Sequence, residues 1–269
     1  MSSNLDRVIV VKIGGATLGS HDTTLEDIVY LQQQGRLLVV VHGGANVVTK
    51  WLTKQGISTR FVHGERVTDK AALDMVTAVL AGLVNKEIVA TINSLGGQAV
   101  GISGVDGALI QARIREKEMG YVGAVVKVNL APLAALLGSG YIPVVAPLSL
   151  HSFDRPNEAP RLLNINGDTV AGEIAAAIGA ERLIFLTDVV GICDHSGKLL
   201  PRLLPEEAEA LMASGVASEG MIVKIKACLR ALSNISTARI IDGRQPRALL
   251  TEIEGVSKGT TIGGLSRVD

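Results

Sequence analysis

The chain alternates short β-branched runs with stretches in which apolar residues recur every three or four positions. Residues 7–13 (RVIVVKI) and 36–42 (RLLVVVH) are the first two runs, and each closes on a Gly-Gly pair. Such runs are the pattern of strands buried on both faces that enter tight turns. The longest helical pattern opens at Thr68-Asp69, a capping pair, and keeps apolar residues at three-to-four spacing from Ala71 to about Asn93, long enough to cross a domain. Further strands are expected at 99–103, 141–146, 182–187 and 238–242, and helices at 130–137, 168–178, 206–213 and 221–232. Strands alternating with helices specify an α/β fold with a mostly parallel central sheet. No internal repeat interrupts the pattern. The βα rhythm restarts near 179–182, which divides the chain into parts 1–180 and 181–269. The polar stretch 152–161 (SFDRPNEAPR) suits a linker and a surface hairpin equally.

Composition narrows the function classes. Hydrophobic residues make up 47% of the 269 positions and aromatics only 3%, so Val, Ile, Leu and Ala must build the core, as buried parallel strands and their covering helices require. Lys plus Arg (26) balance Asp plus Glu (26), and no basic run stands out. The electrostatic footprint of nucleic-acid binding is therefore missing, and a small-molecule partner is expected. Cys193 and Cys228 have neither zinc spacing nor a disulfide framework and read as free thiols. Residues 1–7 are short and polar, and no run approaches the ~18 apolar residues of a membrane span. The expectation is a cytoplasmic protein without a membrane partner.

Candidate chemistry gathers at glycine turns. Lys12 precedes Gly14-Gly15 at the end of an apolar run, where a lysine is costly unless an anion meets it. Glycines after a strand let backbone N–H groups approach a phosphate, and the following helix adds its positive end. His42-Gly43-Gly44-Ala45 repeats the arrangement after the second strand, and two such turns side by side would form one donor-rich floor. Neither a G-x-x-x-x-G-K-[ST] loop nor a G-x-G-x-x-G turn occurs. In Gly64-Glu65-Arg66-Val67-Thr68-Asp69, Arg66 has the fork that clamps a carboxylate bidentately. Asn164-Ile165-Asn166-Gly167-Asp168 ends in an acid where a helix begins, and Gly220-Met221-Ile222-Val223-Lys224 brings a second lysine near a helix start. Thr187-Asp188-Val189-Val190-Gly191-Ile192 is another polar turn after a buried strand, suited to a nucleotide.

Taken in order, KIGG, HGGA, GERVTD, VNKE, NINGD, TDVVGI and EGMIVK resemble the amino-acid kinase family, most closely its acetylglutamate kinase branch. The resemblance runs from about Val8 to Ile262. It implies an open αβα sandwich that holds the acyl amino acid in the N-terminal part and ATP with Mg²⁺ in the C-terminal part. It implies Lys12 and Lys224 as the charges on either side of the migrating phosphoryl group, and Asp168 as the acid that orients both. Backbone groups of Gly14, Gly15, Gly43, Gly44 and Ala45 would surround the phosphate, while Arg66 and Asn164 would hold the acetylglutamate. The nucleotide would lie along Asp188, Val189, Val190, Gly191, Ile192, Cys193, Val216, Ala217 and Ser218. The metal would have no assigned protein ligand.

The chain departs from the family pattern at Ala45, where Gly is expected, and at Asn46, where many members carry Pro. Alanine disfavours positive φ, which puts substrate shape in question. Two rivals follow: a kinase acting on a carrier-linked aminoadipyl or glutamyl end, or another kinase of the family acting on glutamate or aspartate. A catalytically silent sensor of the same fold is a third, although it would have no need of Lys12, Asp168 and Lys224 together. Arginine-inhibited members of the family resemble one another in an extra N-terminal helix that links dimers into a ring; here the first strand starts by about Arg7, and the expectation is a plain homodimer, formed by the N-terminal part (1–180) and insensitive to L-arginine.

Overall fold

The computed structural model describes residues 4–14, 23–155 and 157–264. Strand β1 (Val8–Ile13) is buried along its whole length. Its period of two sends Val8 and Val10 into one apolar core and Ile9, Val11 and Ile13 into another. Strands β2 (Leu37–His42) and β10 (Arg182–Thr187) flank it in parallel and divide their side chains the same way. Helices α1 (Thr24–Gln33), α2 (Ala45–Lys54) and α9 (Ala248–Ile253) cover one face, together with a long rod described below. Helices α5 (Ala131–Gly138), α6 (Gly167–Ile178), α7 (Pro205–Ala213) and α8 (Glu219–Ala231) cover the other. The result is an αβα sandwich.

Eleven strands form the sheet, in the order β11 (Arg202–Leu203), β13 (Gly259–Gly263), β12 (Thr237–Asp242), β10, β1, β2, β8 (Ile142–His151), β6 (Ile110–Ile114) and β7 (Gly123–Val128), with β5 (Ala99–Gly104) and β9 (Leu162–Asn164) also paired to β8. Only β12–β13, β6–β7 and β8–β9 are antiparallel among these pairs. The carboxyl ends of β12, β10, β1, β2 and β8 therefore open along one edge, where parallel sheets bind ligands. The sheet continues across 179–182, because β10 inserts beside β1 with Val10 opposite Leu183.

Most expected elements recur within one or two residues, and three differ instructively. Strand β8 runs on past Ala146 to His151, since its second half pairs with β6 and with β9. The antiparallel register Leu148↔Asn164 makes 152–161 a hairpin connection rather than a linker. The long helix is a 25-residue rod, Lys70–Ser94, built from α3 (Lys70–Thr77), a π-helical segment (Ala78–Val84) and α4 (Asn85–Ser94). By length and composition it could cross a membrane, which the sequence reading did not anticipate; here Leu73, Val76, Val79, Ile88 and Ile92 are buried in the protein interior. At the end of the π segment, Asn85 is fully buried and donates to Val144 O at 2.9 Å, tying the rod to the sheet. Both cysteines are free.

Candidate active site

Helices α6 and α8 touch backbone to backbone. A methyl group on Gly172 would lie 2.5 Å from Ala227 O, and about one turn towards the helix N-termini from this contact stand Asp168 and Lys224. Lys12, on the same face of β1 as Val8 and Val10, completes the group. Its Nζ lies 2.6 Å from Asp168 Oδ1, and Lys224 Nζ lies 3.2 Å from Oδ2. Each carboxylate oxygen thus has its own ammonium partner. Asp168 is 5% exposed and Lys12 7%. Burial pushes the Asp168 pKa up, but the two ammonium groups outweigh it and hold the carboxyl below its ordinary range. Two cations on one anion leave a net positive charge facing the cavity.

The two glycine turns lie on either side of this group. Gly14 N donates to Leu186 O at 3.1 Å, and Gly43 N donates to Ile13 O at 3.0 Å; Gly15 lies outside the described residues. Gly44 caps α2 at φ +147°, and a methyl there would sit 2.6 Å from Leu80 Cδ2. Only glycine fits. The first-turn N–H groups of α2 have no intrahelical acceptor and sit at the helix's positive end. Ala45 belongs to that first turn and has no positive φ, so its methyl group brings no backbone strain. His42 is fully buried: its Nδ1–H donates to Gly43 O at 2.7 Å, and Asn85 Nδ2 donates to its Nε2 at 3.2 Å. Burial, helped by the charges of Lys12 and Lys86, holds its pKa at about 4 despite the bond to Gly43, and the ring is neutral at pH 7.

A two-strand hairpin, β3 (Phe61–Val62) and β4 (Glu65–Arg66), forms another wall. His63 and Gly64 both have positive φ, +50° and +75°, the two-residue turn that matches strand twist. Arg66 is 7% exposed, and its guanidinium carbon lies 4.6 Å from the Phe61 ring centroid. Nη2 donates to Ala45 O at 3.0 Å and to Thr49 Oγ1 at 2.7 Å. Nη1 is buried with no hydrogen-bond partner, an arrangement that costs stability until an acceptor arrives. Asn164 Nδ2 donates to the buried Thr68 Oγ1 at 3.0 Å. Between hairpin, turns and lysines lies a cavity of about 370 Å³, lined by Lys12, Gly14, Gly43, Gly44, Ala45, Arg66, Asn164, Asp168 and Lys224, with Val48, Phe61, Val76, Leu80 and Val122 as an apolar wall.

The residues expected along the nucleotide are spread more widely. Asp188 lines the cavity; Val189 and Val190 follow it as exposed turn residues. Gly191 packs on Thr260, and Ile192 sends its side chain into the core and its N–H to Thr260 Oγ1 at 2.8 Å. Cys193 bridges to Leu199. Val216, Ala217 and Ser218 lead into α8, which Ser218 caps through Met221 N. None of these except Asp188 lines the cavity. Contributors that sequence reading left unassigned are Phe61, Thr49 and Asn166, whose Oδ1 accepts the Asp168 N–H at 2.8 Å. Asn166 stood inside NINGD and was readable as a cap; the other two lie outside every glycine turn.

A model of the amino acid kinase family matches residues 7–242. The chain belongs to this family. It is 50% identical over 264 residues, 98% of this chain and 97% of the relative, to an acetylglutamate kinase of Dehalococcoides mccartyi (strain CBDB1). It is 48% identical to an acetylglutamate kinase of Nostoc sp. (strain PCC 7120 / SAG 25.82 / UTEX 2576), over 96% of this chain and 88% of that one. Among solved structures, the N-acetylglutamate synthase of Neisseria gonorrhoeae complexed with coenzyme A and N-acetyl-glutamate superposes with a TM-score of 0.82 at 26% identity, over 97% of this chain and 60% of that chain. The sandwich with its mostly parallel sheet is thus an amino-acid kinase fold.

Proposed function

We propose that this amino-acid kinase transfers the γ-phosphoryl group of ATP to the γ-carboxylate of N-acetyl-L-glutamate, giving N-acetylglutamyl 5-phosphate for arginine biosynthesis. The observation that carries the reading is the pair of lysines held on one buried carboxylate at the cavity. The acceptor carboxylate is already ionised at pH 7, so the reaction needs no general base. It needs two anions brought together and the charge of the migrating group neutralised. In this reading Lys12 meets that group from the acceptor side and Lys224 from the leaving-group side, while Asp168 keeps the two ammonium groups from repelling each other. The amides of Gly44 and Ala45, with Gly15 as the family resemblance implies, face the phosphate in this reading; Gly14 and Gly43, whose N–H groups donate to Leu186 O and Ile13 O, line the cavity. The unpartnered Nη1 of Arg66 receives the α-carboxylate, Asn164 holds the amino-acid end, and residues 1–180 thereby bind the acyl amino acid.

Residues 181–269 then hold the nucleotide, along Asp188, Val189, Val190, Gly191, Ile192, Cys193, Val216, Ala217 and Ser218. The donor set contains no group of three or more His, Cys, Asp or Glu that could hold a metal, among the described residues. Mg²⁺ in this reading travels on the nucleotide phosphates, where it supplies positive charge. Of the rival acceptors, carrier-linked aminoadipate loses its main support because Ala45 is unstrained; relatives about 50% identical carry the acetylglutamate kinase name. We further infer a cytoplasmic homodimer formed through the rod, whose open side exposes Ala71, Ala78, Gly82 and Ala90 beside Leu83, 47% exposed; light scattering tests it, and a monomer would exclude it.

The reading is tested by Lys12→Met and Lys224→Met. Each lysine meets charge that develops in transfer, so each variant should lower kcat by about 10²–10³-fold, as lost oxyanion donors do, with a much smaller change in either substrate's affinity. Near-normal turnover in either variant contradicts the assignment.

A further inference from the structure

The tip of the β3–β4 hairpin, although exposed, lies close to the start of α8. A methyl group on Gly64 would lie 3.2 Å from the Glu219 carbonyl carbon and the Gly220 nitrogen, and 3.3 Å from Glu219 Cβ. The tip therefore rests on the backbone at the start of α8, the helix that carries Lys224 one turn further on. Arg66 stands two residues from the tip, on the same hairpin. His63 Nδ1 lies 3.9 Å from Glu219 Oε1, but both side chains are largely exposed, and such a pair contributes little. The contact is packing between backbones.

We propose that Gly64 is a positioning residue: through its seat on the first turn of α8, an occupied Arg66 holds Lys224 in place for phosphoryl transfer. This rests on the assignment of the acyl amino acid to Arg66 and deepens it. A hairpin of two-residue strands is held by a small number of contacts: Glu65 pairs with Arg115, Arg66 Nη2 donates to Ala45 O and Thr49 Oγ1, and the tip meets α8. On one side the buried guanidinium has an N–H without an acceptor. On the other, a side chain at residue 64 would press on the backbone at the start of α8, which would have to give by a few tenths of an ångström. A carboxylate bound by Nη1 would fix the hairpin, and the fixed tip would restrain the start of α8. Acceptor binding would thus favour the Lys224 position in which the nucleotide is used, and by linkage nucleotide would strengthen acceptor binding by the same factor.

A matched control exists for the obvious variant. Gly56 has φ +70°, close to the +75° of Gly64, but nothing lies within 4 Å of a methyl group there. Gly56→Ala therefore carries the backbone strain of a left-handed alanine without the collision. Binding of N-acetylglutamate is measured calorimetrically with and without the non-hydrolysable analogue AMP-PNP and Mg²⁺, beside kcat. The unmutated enzyme and Gly56→Ala should show coupling in the range of about 5–150-fold. Gly64→Ala should show coupling within about twofold of none, and kcat about 10- to 100-fold lower, the cost of a small misplacement of a catalytic group. His63→Gln should match the unmutated enzyme.

Equal losses in Gly56→Ala and Gly64→Ala would trace the effect to strain and overturn the proposal, as would full coupling in Gly64→Ala. Hydrogen exchange on the unmutated enzyme keeps the test valid if Gly64→Ala does not fold: N-acetylglutamate alone should slow exchange in the first turn of α8 and leave α7 unchanged. An unchanged α8 overturns the proposal. If the unmutated enzyme neither binds nor phosphorylates N-acetylglutamate, it is the functional assignment that fails instead.

Discussion

Replacing Asp168 by asparagine keeps the shape of the side chain and removes the negative charge that Lys12 and Lys224 share. At 2.6 and 3.2 Å, and with an effective dielectric constant of about 20, the two pairs represent about 6 and about 5 kcal/mol of gross attraction. Desolvation of the buried Lys12 and Asp168 and the half-buried Lys224 offsets most of it, and breaking such a pair from one side costs about 3–5 kcal/mol. Asp168→Asn should therefore lose about 3–5 kcal/mol in urea unfolding, and kcat, followed by ADP release, should fall by about 10²–10³-fold. Stability within about 0.5 kcal/mol of the unmutated protein, with undiminished kcat, would refute the view that this carboxylate holds the lysines.

Arg66→Lys keeps the charge and loses the fork, so KM for N-acetylglutamate should rise with kcat little changed; a rise in KM for ATP alone would put Arg66 on the nucleotide side. Gly172→Ala drives a methyl group to 2.5 Å from Ala227 O and should cost about 1–3 kcal/mol by calorimetry, with a loss of kcat because α8 carries Lys224. His42 titrates at about 4 when folded and at its ordinary 6.5 when unfolded. Between these values the unfolded chain binds more protons, so the stability is complete above pH 6.5 and is lost as pH falls towards 4, up to about 3 kcal/mol. His42→Asn should flatten that slope in urea titrations at pH 7.5 and 4.5.

The buried strands were legible because β1, β2 and β10 are apolar at every position but one or two and end in turn residues. The rod was legible from its spacing and from the Asp69 cap, whose side chain does accept from Ala72 N. Its π segment was not, since apolar residues in π and α turns share nearly the same face. Helix α2 escaped placement because its cap is Gly44, without a side-chain signal. The hairpin escaped because two-residue strands fall below any period, and only the positive φ of His63 and Gly64 reveals its turn. The chemistry-bearing residues Lys12, Asp168 and Lys224 stood out as charged side chains next to glycine turns. Their meeting depends on the approach of Gly172 to Ala227, a contact between residues far apart in the chain. The seat of Gly64 on α8 is of the same kind.

The central claim is that the cavity accepts N-acetyl-L-glutamate as phosphoryl acceptor, and the most direct measurement is steady-state ADP release with ATP and Mg²⁺ across four acceptors. These are N-acetyl-L-glutamate, L-glutamate, L-aspartate and N-acetyl-L-aminoadipate. The account predicts turnover with N-acetyl-L-glutamate, with kcat/KM at least about 10²-fold above the others, as expected where buried polar groups are left unpaired by the wrong ligand. Preference for aminoadipate or for a free amino acid, or ATP bound without turnover on any of the four, would contradict it.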